Sequence, residues 1–530
     1  MSAAALAALV VLSAASGPLS AGHASDEEML RAAFEEAQDK LEQWDVPAAR
    51  KIAEDMVARV GKNEVTDELL GRVRFFEGDY AGAVAILPDK TSLYGKLAAA
   101  SLAELRDYDH RESEHFAFWF PKGRYELLAP YALDTLERAY RAIGDDLHEH
   151  PQERIRVEIL RDPAALSRLS PLTEKEIETS GTIALCKFNE LMITSPDAMV
   201  YGYSWQDTLA HELTHYLISR RSENTVPIWL HEGIAKFEET HWRGPPGRAL
   251  SPASVALLAR RLRENKLITF EQMHPSMALL PSQEDAALAF AEVATAVKYL
   301  YEQKGGAEAL NALLDKLRSG ETDTQAVAEV AGEPFTKFQS DWKAYLRRQP
   351  LPKNASPALS HGVEKLRFKG EREGAAQEAG MDVLGEEIPD EAARRFAHLG
   401  ELLRTRRRAA AAAYEFARAE ARVGAGSPQL SNKYAMTLME IGQDDKAEGL
   451  LRASVDPFPE VAETHLHLGE VLLAEKRWGD ARTELLAANA IDPFDPEIHL
   501  GLMKADHALG DEAAYKVEAR AVALATGQSG

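Results

Sequence analysis

The sequence predicts an α+β domain flanked on both sides by all-α helical repeats. Three observations carry that expectation. Strand-like alternation at 115–120, 154–160 and 191–194 is followed by a run of segments with helical period, the order expected of an α+β domain. Leu438 and Leu472, Ala447 and Ala481, and Pro459 and Pro493 recur 34 residues apart. A chain of 530 residues also exceeds one ordinary core, so about three domains are expected.

From the N-terminus, residues 1–24 read as a signal peptide. The apolar run 3–15 is too short to span a bilayer, and Gly22-His23-Ala24 offers a cleavage site before Ser25, although no Lys or Arg precedes the run. This predicts a periplasmic or secreted protein, with no membrane span in the mature chain. Residues 25–110 read as helical, with one helix pair around Phe76-Glu77-Gly78-Asp79-Tyr80-Ala81-Gly82-Ala83.

Residues 111–350 form the α+β unit. Its helices are expected at 125–143, 205–218, 227–239, 252–264 and 286–303. Ser204 followed by Asp207 reads as a capping box that starts a helix at Trp205. That helix carries His211-Glu212-Leu213-Thr214-His215, two histidines one turn apart on one face. With His211 at zero and about 100° per residue, His215 falls near 40° and Glu212 near 100°. Leu209, Leu213, Tyr216 and Leu217 occupy the opposite side. A helix with imidazoles on one face and leucines on the other turns its histidines to a cleft. There the pair can grip one metal ion, and Glu212 can take a proton from water.

A catalytic zinc takes three protein ligands and keeps one position open. The next helix offers the third, because Leu230, Ile234 and Phe237 form an apolar stripe opposite Glu232. Sixteen residues separate His215 from Glu232, enough to end one helix and enter another. His231 is the competing ligand. Glu239, two turns beyond Glu232, is either an orienting partner of a ligand or a surface carboxylate.

His211-Glu212-Leu213-Thr214-His215, followed by Pro227-Ile228-Trp229-Leu230-His231-Glu232-Gly233-Ile234-Ala235, resembles the gluzincin zinc metallopeptidases, in particular the bacterial peptidase MA-like group. The resemblance runs from about residue 115 to 348 and includes the strand-like stretches 181–189 and 191–196. It implies a gluzincin-like peptidase fold with Zn2+ between two lobes, ligated by His211, His215 and Glu232, with Glu212 as general base. A peptide or protein is the implied substrate. Relatives commonly add a tyrosine or histidine that stabilises the oxyanion. Where they carry Ala-Tyr, this chain has Ala289-Phe290, and His231, Tyr299 and Tyr301 are weak substitutes. The Gly-x-Met-Glu-Asn segment of zinc aminopeptidases is absent, which favours an endopeptidase. The alternative is a non-catalytic peptide-binding repeat protein with a vestigial metallopeptidase core.

Residues 351–390 read as a linker with one short alternating piece at 363–369. The stretch looks like a tether, so a chain ending near Pro350 is expected to fold alone. In residues 391–526 the 34-residue recurrence, with Leu468-Gly469 and Trp478-Gly479-Asp480-Ala481, resembles tetratricopeptide repeats. Stacked pairs of that kind present a concave surface for a protein or peptide partner. The formal net charge of −23 argues against nucleic acid and anionic membranes. The lone Cys186 cannot form an internal disulfide and reads as a small core residue.

Overall fold

The computed structural model describes residues 21–352 except 249, 275, 278 and 279, and residues 390–527 except 425, together with 369 and 388. Positions 1–20 and nearly all of 353–389, which hold most of the expected signal peptide, linker and short strand, lie outside the described residues.

Among the described residues five helices come first: α1 (Ala21–Glu42), α2 (Val46–Val60), α3 (Glu64–Phe76), α4 (Tyr80–Ile86) and α5 (Leu93–Glu104). Each packs on the next. Asp45, Asn63, Asp79 and Ser92 cap α2 to α5 by accepting backbone N–H bonds, so the short helices begin at defined residues.

A five-stranded sheet follows, with β1 (Tyr108–Glu112), β2 (Phe116–Pro121), β3 (Ile155–Leu160), β4 (Ala184–Lys187) and β5 (Glu190–Thr194) in the order β1-β2-β3-β5-β4. The inner pairs β2–β3 and β3–β5 are parallel, and both edge strands run antiparallel to their neighbours. Burial on both faces explains the continuous apolar run Phe116-Ala117-Phe118-Trp119-Phe120 of β2 and the fully buried β5. Helix α6 (Ala129–Leu147) crosses between β2 and β3, and α7 (Pro163–Leu169) and α8 (Glu174–Ser180) between β3 and β4. The expected strands are found within a residue or so of their bounds. The edge strands β1 and β4 carry too few buried positions to alternate clearly.

Beyond β5 the chain is helical: α9 (Trp205–Ser222), α10 (Ile228–Glu238), α11 (Pro252–Arg263), α12 (Gln283–Lys304), α13 (Ala307–Arg318), α14 (Asp323–Ala331) and α15 (Phe335–Arg348). Helix α9 begins at Trp205 as expected, but without the capping box. Ser204 makes no side-chain cap, and Asp207 instead accepts from Trp242 Nε1 and Arg243 Nε, both at 2.9 Å. The Asp207 carboxylate therefore anchors the turn that follows α10.

Four helix pairs close the chain: α16 (Glu391–Thr405) with α17 (Ala409–Val423), α18 (Pro428–Glu440) with α19 (Asp444–Val455), α20 (Ala462–Ala474) with α21 (Trp478–Asn489), and α22 (Pro496–Leu509) with α23 (Glu512–Thr526). The small residues of the repeat set the packing distance. A Cβ on Gly469 would lie 2.6 Å from Leu485 Cγ, and one on Gly501 2.9 Å from Leu485 Cδ1. One network recurs at the repeat period: His465 lies 2.8 Å from Glu484 and 3.0 Å from the Pro459 carbonyl, and His499 lies 2.8 Å from Glu518 and 2.7 Å from the Pro493 carbonyl.

The expectation of a tethered array without a packed interface fails. Trp205 Nε1 donates to the Asn489 carbonyl and the Tyr203 N–H to the Ile491 carbonyl, both at 3.1 Å. Tyr131 Oη donates to Glu518 at 2.6 Å, and the Tyr125 ring meets Phe494. Sequence periodicity identifies repeats but carries no record of the surface they dock on. Among the described residues no helix is long and apolar enough to cross a membrane.

Candidate metal centre

Helices α9 and α10 pack against each other beside the edge strand β4. Leu209, Leu213, Tyr216 and Leu217 are buried on one side of α9, as the sequence pattern requires. The opposite face turns His211 and His215 toward Glu232 of α10. Their potential ligand atoms form a triangle: His211 Nε2 to His215 Nε2 is 3.1 Å, and each Nε2 lies 3.4 Å from Glu232 Oε2. Neighbouring ligand atoms of a tetrahedral zinc at ordinary bond lengths stand about 3.3 Å apart. The three side chains therefore fit a single zinc without rearrangement.

The other ring nitrogens are tied from behind. His211 Nδ1 is 3.0 Å from Glu239 Oε2, and Lys236 Nζ holds the other Glu239 oxygen at 2.5 Å. Of the two expectations for Glu239, the buried orienting partner is the one observed. His231 lies behind His215, its Nδ1 2.5 Å from His215 Nδ1 and its Nε2 3.3 Å from Ser219 Oγ. It is not part of the converging triad.

Electrostatics follow this arrangement. Burial opposes a charge on His211, yet its hydrogen bonds to Glu232 and Glu239 prevail and push the imidazole up to about 10. Burial would raise Glu232, but His215 and His211 hold it well below the usual carboxylate range. Burial, reinforced by His215, pushes His231 down to about 3 and keeps it neutral. The Glu232 carboxylate stands as the negative charge facing both Nε2 atoms.

Glu212 is buried at the flank of the triad, where its carboxylate accepts the backbone N–H of Cys186 in β4. Burial raises its pKa, opposed by His215 and His211. Cys186 is partly buried and packs against the main hydrophobic core, as its reading as a small core residue expects, and it also borders the cleft. Ala184 and Cys186 pack on one face of β4 and Leu185 on the other, while the outer edge of this edge strand borders the cleft. With the Cys186 N–H turned outward, strand alternation puts the N–H and C=O of Ala184 on the same open edge.

Of the three oxyanion candidates only His231 lines the cleft, and its Nδ1 is turned to His215. Tyr299 packs among Phe338 and Tyr345, and Tyr301 Oη donates to Asp146 at 3.3 Å. Neither lines the cleft, whereas Phe290 does. The cleft encloses about 2100 Å³ and is lined by the N-terminal helices, the α+β unit and the C-terminal repeats together. The sequence reasoning missed this shared wall; the only available signal was that repeats beside a cleft must face somewhere.

No curated protein matches the chain. Among solved structures, yeast leukotriene A4 hydrolase aligns at 12% identity over 78% of this chain and 67% of its own, with a TM-score of 0.31. MamA MSR-1 aligns at 16% identity over 28% of this chain and 89% of its own, with a TM-score of 0.24. Yeast Tom70 aligns at 11% identity over 94% of this chain and 96% of its own, with a TM-score of 0.20. Residues 144–348, which contain both α9 and α10, match the model of the Peptidase MA superfamily.

Proposed function

We propose that the chain is a zinc-dependent peptidase in which His211, His215 and Glu232 hold the metal and Glu212 is the general base. The observation that carries the reading is the Nε2, Nε2, Oε2 triangle, whose edges of 3.1, 3.4 and 3.4 Å suit one zinc ion. Zinc supplies Lewis acidity for the scissile carbonyl and lowers the pKa of water to about 7.

The chain's own groups do the rest. Glu212 accepts a proton at its carboxylate and passes it to the leaving amine. The Cys186 N–H fixes that carboxylate beside the triad. Glu239 and His231 hold the two imidazoles through Nδ1, so that each Nε2 faces the same point. The open edge of β4 can pair with an extended substrate backbone, which supports a peptide as substrate. An endopeptidase is favoured, because the segment that holds a free amine in zinc aminopeptidases is absent. A periplasmic or secreted location belongs to the same proposal.

Glu212→Gln tests it. The amide keeps the size but cannot act as base, so zinc should stay bound while hydrolysis falls by at least about 10²-fold. Cleavage that survives this change, or that resists a chelator, refutes the mechanism. A zinc-loaded wild-type chain that cleaves no peptide favours the non-catalytic binding protein instead.

A further inference from the structure

We propose that the C-terminal repeats are the second wall of the catalytic cleft, and that this wall admits an extended polypeptide chain while excluding folded surfaces. The proposal rests on the peptidase reading above and names the substrate class of that same site.

The wall is periodic. Three consecutive pairs turn the start of their first helix to the cleft, and the lining recurs at the 34-residue period in Pro428 and Ala462, Gln429 and Glu463, and Val461 and Asp495. Gln429, Glu460, Val461, Leu466, Asp495 and Ile498 line the same cavity as His211, Glu212, His215 and Glu232. A repeat array that merely packed on the peptidase could turn any edge to it; this one turns a single recurrent edge to the cleft.

The wall is also fixed to the metal-bearing helix. The Trp205 indole at the first residue of α9 donates to the Asn489 carbonyl, and the Tyr203 N–H to the Ile491 carbonyl. Gly202 lies so close beneath this strand of contacts that a Cβ there would sit 2.2 Å from the Ile491 oxygen. The Tyr131–Glu518 bond and the Arg520–Glu126 pair add anchors from the last helix. The two walls are thus joined through both helices of the last repeat and the turn that precedes it.

A volume of about 2100 Å³ is roughly twice the upper end for a small-molecule pocket and suits a stretch of polypeptide. One face of such a chain can pair with the edge of β4, while its other side meets the repeats. A sheet or helix of a folded protein would have to displace one wall to reach Glu212.

The test uses the full-length chain and one cleavable sequence in three settings: a free unstructured peptide, a reduced and alkylated polypeptide, and a surface loop of a thermostable domain. The zinc-loaded protein should cleave the first two with kcat/KM at least about 10²-fold above the loop, whose scissile bond cannot reach the base. With Glu212→Gln, fluorescence anisotropy should report binding of the same two and not of the loop. Benzophenone-bearing versions of the free peptide, bound to Glu212→Gln, should crosslink within 459–466 or 492–498 as well as to β4. Equal handling of loop and free peptide, adducts confined to the α+β unit, or no binding of any probe overturns the proposal. A chain that cleaves nothing, yet binds only the unfolded probes and crosslinks through the repeats, sinks the peptidase reading and leaves the wall standing.

Discussion

Glu239 and His231 act on the candidate metal through the imidazoles they touch. Glu239 accepts the Nδ1 proton of His211 and so leaves the Nε2 lone pair free, while His231 holds the His215 ring in place through its Nδ1. Replacing Glu232 with alanine should abolish stable zinc binding, while Glu239→Gln and His231→Ala should weaken it by about 10- to 100-fold, as read by competition with a chelator. Equal losses from Glu232→Ala and His231→Ala would contradict the ligand assignment. Glu292 shows how burial works away from the site. Its carboxyl accepts the Ile268 N–H at 2.8 Å, its other oxygen has no hydrogen-bond partner, and burial pushes its pKa up to about 8 against the opposing Ile268 bond and Lys343. A raised carboxyl favours the folded state while protonated, so its contribution is complete below about pH 4.5 and is lost as pH rises through about 8. Glu292→Gln should keep the bond to Ile268 and flatten the fall in stability over that interval, measured by urea unfolding at each end.

Helix α10 has to approach α12 closely enough to set Glu232 opposite the histidines. Gly233 makes that possible, since a Cβ there would lie 2.9 Å from Val297 Cγ2 and 3.0 Å from the Val293 carbonyl. The carbonyl cannot move without disturbing α12. Gly233→Ala should therefore cost about 1–3 kcal/mol by overpacking and also lower zinc affinity, because the adjacent Glu232 shifts with the helix. Thermal melts with and without zinc separate the two effects. An unchanged melt would show that the helices part freely. The same element explains why the Glu-Gly pair was readable only in part. Ligand chemistry points to Glu232, but the need for glycine comes from a helix sixty positions away in the chain.

At the scale of the whole molecule the repeats are a structural partner of the peptidase-like unit. The N-terminal helices hold it from the other side, through Tyr80 Oη on Glu190 at 2.6 Å and the Trp44 ring on Tyr216. A chain ending after Pro350 would bare Tyr125, Tyr131 and Trp205 and lose their bonds to the repeats. Such a chain should melt at least about 5 °C lower than the full chain in calorimetry. An unchanged transition would return the repeats to the status of a tethered module.

The sequence by itself determined the α+β unit between helical repeats, the starts of α9 and α11 and the convergence of His211, His215 and Glu232. These depend on local period, caps and ligand spacing, which a linear pattern records. The roles of Glu239, His231 and Asp207 were decided only by tertiary structure, as were Gly233 and the repeat wall. Each depends on which surface meets which across long stretches of chain. A buried carboxylate and a solvated one look alike in sequence; only packing removes the water that distinguishes them.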